Sequence, residues 1–252
     1  VVMKPLRGVA KRIGQGYNLL SNAQKAGLTP KEIAKLVRYM AEYFSDKTFL
    51  RDFHARIEEA KQAAKGSPIG GWFTPFGQAL LYALVRLFKP SVAVETGVAA
   101  GGSSRIILYV MQKNEKGRLF SIDLPEGDMK LYPKDIVNSR IGTYLPPGYS
   151  TGWLVPEWLK GRWKLYMGDA RLLLPELLES IGEVDLFLHD SLHTSEQVRM
   201  ELEVVFPRLR RGGLLMADDV NEDWTLAFVD FIQEQGLRPA VFAQRYGVAL
   251  KR

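Results

Sequence analysis

Residues 92–104 read Val-Ala-Val-Glu-Thr-Gly-Val-Ala-Ala-Gly-Gly-Ser-Ser, and no other stretch constrains the chain as tightly. Val92, Ala93 and Val94 form a short apolar run after Pro90, the signature of a buried parallel strand. Glu95 follows, then Gly97, Gly101 and Gly102, then a helical pattern over residues 105–112. Strand, glycine turn and helix in that order form the nucleotide-binding corner of open α/β sheets. Ligands sit there beyond the carboxyl ends of the strands, and glycine lets the backbone come close. The spacing is G-x-x-x-G-G, not the G-x-G-x-x-G of dinucleotide enzymes. An acid two residues before the first glycine suits a cationic, amino-acid-bearing ligand better than a pyrophosphate.

The rest of the chain extends this into a sheet. A leading apolar helix is expected over residues 76–89 after the cap Thr74-Pro75. The second strand, 119–122, ends at Asp123, which lies 26 residues after Gly97 and can accept hydrogen bonds from ribose hydroxyls. The third strand, 163–167, leads into Gly168-Asp169-Ala170, where Asp169 can read a base edge or cap the helix over 171–178. The fourth strand, 184–189, delivers His189-Asp190-Ser191-Leu192-His193, and a helix follows over 195–209. Gly212-Gly213 is expected to end that connection before the fifth strand, 214–217, which has Asp218-Asp219 at its tip. A helix over 223–235 and a closing antiparallel hairpin, 239–244 and 247–251, complete the chain.

Residues 124–162 are long for a βα connection and rich in Pro, Gly and aromatics, among them Tyr144, Tyr149, Trp153 and Trp158. Such an insertion at the carboxyl edge reads as a lid or substrate wall. Residues 1–70 read as a helical extension that covers the domain or pairs two subunits. Thr29-Pro30-Lys31-Glu32 is a capping box, and Ile33, Leu36, Val37, Met40 and Phe44 recur at helical spacing. The chain therefore divides into an extension, 1–70, and a catalytic domain, 71–252. The net charge of +6 is uneven: 13 Lys/Arg stand against 6 Asp/Glu in residues 1–70, and 21 against 22 in the rest. The basic excess belongs to the extension, and a solvated helical face explains it. No basic–aromatic interleaving or zinc module supports a nucleic-acid partner.

The chain has no cysteine, which excludes disulfides, a thiolate nucleophile and Cys-bound zinc. No apolar run is long enough to span a membrane and no secretory pattern opens the chain, so a cytoplasmic location is expected.

Asp190, Asp218 and Asp219 stand at the ends of strands separated by one strand–helix–strand unit. Three converging carboxylates repel one another unless a cation sits among them, and all-oxygen ligation suits Mg²⁺ or Mn²⁺. The alternative is that Asp218-Asp219 caps the next helix and Asp190 binds backbone amides. His193, three residues after Asp190, could take a proton from a hydroxyl. His189 could hold a cofactor or simply end its strand.

The glycine turn resembles motif I of class I S-adenosylmethionine (SAM) methyltransferases. Asp-x-x-His followed by an Asp pair, downstream of E-T-G-x-x-x-G-G-S-S, resembles metal-dependent SAM O-methyltransferases. The pattern is most like the macrolide-sugar O-methyltransferases and the group named after the cephalosporin hydroxylase cluster. Over residues 70–252 this resemblance implies a Rossmann-like α/β fold with a seven-stranded, mostly parallel sheet and an antiparallel last strand. It implies SAM held by Glu95, Gly97, Gly101, Gly102, Ser103, Ser104, Asp123, Asp169, Ala170 and His189. It implies a metal on Asp190, Asp218 and Asp219, with His193 as base and Asp190 beside it in catalysis. Catechol-type relatives carry Lys at the His193 position and Asn at the Asp219 position, so a sugar or other small-molecule hydroxyl is the expected acceptor. A homo-oligomer formed through the N-terminal helices is an expected assembly. The competing readings are a metal-independent methyltransferase acting on nitrogen or RNA, an NAD-dependent oxidoreductase and a non-catalytic scaffold.

Overall fold

The computed structural model describes residues 18–66, 69–124, 145–146, 148–220 and 226–252. Seven strands form one sheet in the order β3-β2-β1-β4-β5-β7-β6. Strands β1 (Val92–Thr96), β2 (Arg118–Asp123), β3 (Trp163–Met167), β4 (Val184–His189) and β5 (Leu209–Ala217) run parallel, and β7 (Tyr246–Leu250) pairs antiparallel with β5. The short β6 (Ala240–Phe242) pairs antiparallel with β7 at the edge. This is the expected seven-stranded Rossmann-like sheet.

Side-chain alternation divides the core into two layers, as a pleat of period two requires. Ala93, Leu186, Leu188, Leu214 and Met216 face one layer, while Val94, Phe187, Leu215 and Ala217 face the other. The first layer is covered by α4 (Pro75–Phe88) and α5 (Gly102–Lys113), the second by α6 (Ala170–Ile181), α7 (Ser195–Val205) and α8 (Ala227–Glu234). Helix α4 is buried on nearly every side, because the extension lies over its outer face. That extension comprises α1 (Leu19–Lys25), α2 (Pro30–Ser45) and α3 (Lys47–Ala64).

Helix α2 opens with the expected capping box, in which the Thr29 hydroxyl and the Glu32 carboxylate exchange backbone hydrogen bonds. Its Ile33, Leu36, Val37, Met40 and Tyr43 enter the same core as Leu80, Leu81 and Leu84 of α4. Burial of each such side chain contributes about 1.5–3 kcal/mol. The described part of the extension therefore shares one core with α4 and packs over it as a layer. Helix α3 is tied down by Arg105 of α5, which is almost fully buried. Its guanidinium donates to Asp52 at 2.6 Å and to the Leu154 carbonyl at 3.3 Å, and lies over the rings of Phe49 and Phe53.

Two expected boundaries differ. Gly212-Gly213 lies inside β5, not before it. The register shifts between Val184 and Leu186, and the Gly212 N–H donates to the Lys251 carbonyl, so the glycines form a bulge that the ladder spans. The helix expected over 195–209 stops at Val205, where a short 3₁₀ turn, Phe206–Arg208, carries Pro207. The expected start of the last helix at residue 223, and most of the expected lid, lie outside the described residues.

Candidate active site

The register brings the functional positions to one edge. Thr96 stands opposite Ile122 on one side and His189 on the other, and His189 stands opposite Ala217. The next residues, Gly97, Asp123, Asp190 and Asp218, therefore line the carboxyl rim of four neighbouring strands. Backbone bonds lock this rim: Gly97 to Ile122 at 2.9 Å, Asp190 to Thr96 at 2.8 Å and Asp218 to His189 at 3.0 Å. Gly97 is required here. Its φ is +82°, and a Cβ would meet the Asp190 carbonyl at 2.0 Å. The glycine turn and the acid cluster thus touch through their backbones.

On the glycine-turn side, the carboxylates are engaged internally. Glu95 is fully buried and accepts from Ser103 at 2.5 Å, Ser104 at 2.6 Å and Ser121 at 2.8 Å. Burial still dominates and pushes its carboxyl up to about 7. The structure therefore turns Glu95, Ser103 and Ser104 inward, where they bind β1 to α5 and β2, and does not bring them to the open rim. The physical reason is strand alternation together with the first turn of α5, which aims both hydroxyls back at the strand. Asp123 accepts from the amides of Val98 at 3.2 Å and Ala99 at 3.1 Å, so it shapes the turn from the next strand. Burial raises its pKa. Asp169 lies one strand further out, after Gly168, whose N–H donates to the Asp123 carbonyl at 2.8 Å. It caps α6 through the Arg171 amide at 2.8 Å, and its carboxylate also pairs with the Arg171 guanidinium. Ala170 begins that helix.

The described end of the insertion packs against the turn. Gly152 N–H donates to the Ala99 carbonyl at 2.8 Å, and Leu154 N–H to the Ala100 carbonyl at 2.9 Å. A Cβ on Gly101 would meet Gly152 Cα at 2.8 Å. Trp72 and Trp153 flank Ala100 in a small apolar cluster with Phe53, Ile57 and Leu154.

On the acid-cluster side, like charges face each other. One ligand atom from each of Asp190, His193 and Asp218 falls within 4.8 Å of the others. His193 reaches Asp190 at 3.7 Å and Asp219 at 3.7 Å. Burial, followed by repulsion from Asp218, Glu95 and Asp219, raises the Asp190 carboxyl well above its ordinary range. Burial and the neighbouring His189 push His193 down to about 4, which keeps its imidazole neutral near pH 7. Oxygen and imidazole donors at this separation fit a hard divalent ion.

Two residues missed in the sequence complete the rim. Glu201 of α7 is fully buried and accepts four hydrogen bonds: Thr96 at 2.6 Å, Ser191 at 2.7 Å, Gln197 at 2.7 Å and His189 Nδ1 at 2.7 Å. Although burial opposes its charge, His189 and these bonds hold Glu201 below the usual carboxylate range. His189 is thereby fixed under the rim, with its ring 5.5 Å from that of His193. The sequence signal was an acid on the inner face of α7, in line with Val198, Leu202 and Val205. The second residue is Arg245, in the turn before β7. It pairs with Asp218 through two bonds of 2.7 Å and lies 3.1 Å from Asp219. Its signal was topological, because an antiparallel last strand must begin at the carboxyl rim.

Residues 94–220 match the family described as "Methyltransferase domain", half of the chain and all of the rim except Arg245. The chain belongs to the methyltransferase-domain family. It is accordingly a methyltransferase of the class I, SAM-dependent fold. Solved structures agree on that fold. A Klebsiella pneumoniae protein proposed to be an O-methyltransferase is 18% identical, with a TM-score of 0.54 over 82% of this chain and 91% of its own. A Bacillus cereus O-methyltransferase in complex with SAH is 17% identical, with a TM-score of 0.52 over 78% and 91%. A Streptomyces achromogenes O-methyltransferase involved in tomaymycin synthesis, in complex with SAM, is 16% identical, with a TM-score of 0.52 over 77% and 88%. No curated protein matches the methyltransferase in sequence. Among its described residues, no helix is long and apolar enough to cross a membrane.

Proposed function

We propose that this methyltransferase moves the methyl group of SAM to a hydroxyl oxygen of a small molecule, such as a sugar, with a Mg²⁺ or Mn²⁺ ion held by Asp190, Asp218 and Asp219. The observation that carries the reading is the convergence of Asp190, His193 and Asp218 within 4.8 Å, next to the glycine turn. The O-methyltransferases among the structural neighbours, some with SAM or SAH bound, support it. A divalent ion at those carboxylates would supply positive charge that acidifies and orients the acceptor hydroxyl.

The chain's own residues supply the rest. Gly97, Gly101 and Gly102 give the close backbone approach that SAM needs. In this reading Asp123 and Asp169 take its ribose and base, and Glu95, Ser103, Ser104 and His189 hold the turn and strand tips beneath it. The neutral imidazole of His193 takes the hydroxyl proton as the oxygen attacks the methyl carbon. The new C–O bond forms as the C–S bond breaks, giving a methyl ether, S-adenosylhomocysteine and a proton on His193. In-line displacement depends on orientation, so positioning supplies most of the rate. The described end of the insertion, which packs on the glycine turn through Gly152 and Leu154, supports a reading in which Trp153 forms part of the acceptor wall.

The test is calorimetric titration with S-adenosylhomocysteine and with NAD, each with Mg²⁺ and with EDTA, followed by a screen of hydroxyl acceptors. Binding of S-adenosylhomocysteine alone, with transfer lost in EDTA, is expected. Full transfer in EDTA would remove the metal from the mechanism.

A further inference from the structure

The acid cluster carries a cation of its own that the mechanism above does not use. Arg245 is fixed at the backbone from both sides. Its N–H donates to the Phe242 carbonyl at 3.0 Å, and its carbonyl accepts from Val220 N–H at 2.8 Å. Ala243 and Gln244 before it both adopt left-handed φ, +54° and +53°, to make this tight turn. The side chain then has a short, defined reach to the rim. Nε donates to Asp218 Oδ1 and Nη2 to Oδ2, both at 2.7 Å, while Nε lies 3.1 Å from Asp219 Oδ1. This is the fork-to-fork geometry of a strong, charge-assisted pair, which a lysine cannot reproduce. Asp218 is nearly buried, with 4% of its side chain exposed, whereas Arg245 keeps 34%. The carboxylate is therefore committed to its partner, and the guanidinium retains a path to solvent.

A divalent ion drawn to Asp190, Asp218 and Asp219 would meet this arrangement. Both Asp218 oxygens already accept from Arg245, and a second cation close to the guanidinium is repelled by it. We propose that Arg245 is the resident counter-ion of the acid cluster and sets its divalent-ion affinity. It holds the carboxylates together without an ion and makes any ion bind in competition with its own charge. The inference rests on the reading that these acids are the ion site, and it makes the ion weakly held and exchangeable.

The experiment titrates the whole protein with Mn²⁺, following free Mn²⁺ by electron paramagnetic resonance. Wild type, Arg245→Met, Arg245→Lys and Asp190→Asn are compared. Arg245→Met is expected to bind Mn²⁺ at least tenfold more tightly than wild type. Arg245→Lys should fall between them, and Asp190→Asn should lose the site. Thermal unfolding gives a second readout. Without metal Arg245→Met should melt below wild type, and Mn²⁺ should raise its midpoint more than that of wild type. If Arg245→Met does not fold, Arg245→Lys carries the test, with affinity several-fold above wild type expected. Equal or weaker Mn²⁺ binding in the Arg245 variants would overturn the proposal, because Arg245 would then be a support for the ligands. Failure of every variant to bind Mn²⁺ would overturn it as well. The proposed function fails separately: loss of S-adenosylhomocysteine binding refutes the methyltransferase reading, and tighter Mn²⁺ binding in Arg245→Met with transfer indifferent to EDTA would uphold the competition while refuting the catalytic metal.

Discussion

Two halves of one rim use carboxylates in opposite ways. At the tips of β1 and β2, Glu95 spends its lone pairs on three serine hydroxyls and Asp123 spends its own on the amides of Val98, Ala99 and Leu124 and the Thr151 hydroxyl. At the tips of β4 and β5, Asp190, Asp218 and Asp219 face one another, a neutral imidazole and one guanidinium. Internal hydroxyls and amides satisfy a buried carboxylate without adding net charge, which fixes geometry. Converging carboxylates leave a negative field that a mobile cation can answer. Burial alone does not distinguish the two. The identity of the donors does.

The comparison can be broken by substitution. Asp190→Asn should give the largest effect, lowering methyl transfer by roughly 10³-fold or more while S-adenosylhomocysteine affinity changes little. Steady-state rates beside calorimetry would check it, and a matching loss of cofactor affinity would merge the two halves. His193→Ala should lower kcat by about 10²–10⁴. Its pH–rate profile should also lose the acidic limb, since protonation of His193 towards its pKa of about 4 removes the base in the wild type. An unchanged profile would deny His193 that role.

Glu95 tests the other half through stability. Its folded-state pKa of about 7 lies above its ordinary value, so the folded state holds more protons than the unfolded chain in between. Stability from this group is full below about pH 4.5 and is lost as pH rises to about 7, a change of about 3 kcal/mol. Denaturant titration of Glu95→Gln should show that slope flattened, and a slope equal to wild type would place the charge elsewhere. The smallest effect belongs to the extension. Thr29→Ala removes the cap of α2 and should cost about 1 kcal/mol with cofactor binding unchanged. A shift in S-adenosylhomocysteine affinity would show that the extension reaches the site.

Much of this was legible because short-range rules produced it. Apolar runs bounded by glycine gave four of the five parallel strands close to their observed bounds, and the capping box at Thr29 gave a helix start. The acids after β4 and β5 could be placed as neighbours because a strand–helix–strand unit has one handedness. The bulge at Gly212-Gly213 was not legible, since glycine reads as a break until a neighbouring strand such as β7 bridges it. Side-chain direction was not legible either. Glu95 was expected at the ligand, and only the packing of α5 on β1 shows that Ser103 and Ser104 take its carboxylate.

By itself, then, the sequence determined the order of elements, the glycine turn and which acids end which strands, because local backbone preference and apolar periodicity act within a few residues. The tertiary structure decided which charges meet. Glu201 reaches His189 from the inner face of α7, and Arg245 reaches Asp218 across 27 residues of chain, because the antiparallel β7 starts where β5 ends. Electrostatic partnership depends on distance in space and on the donors buried nearby, and the chain acquires those only when the sheet closes.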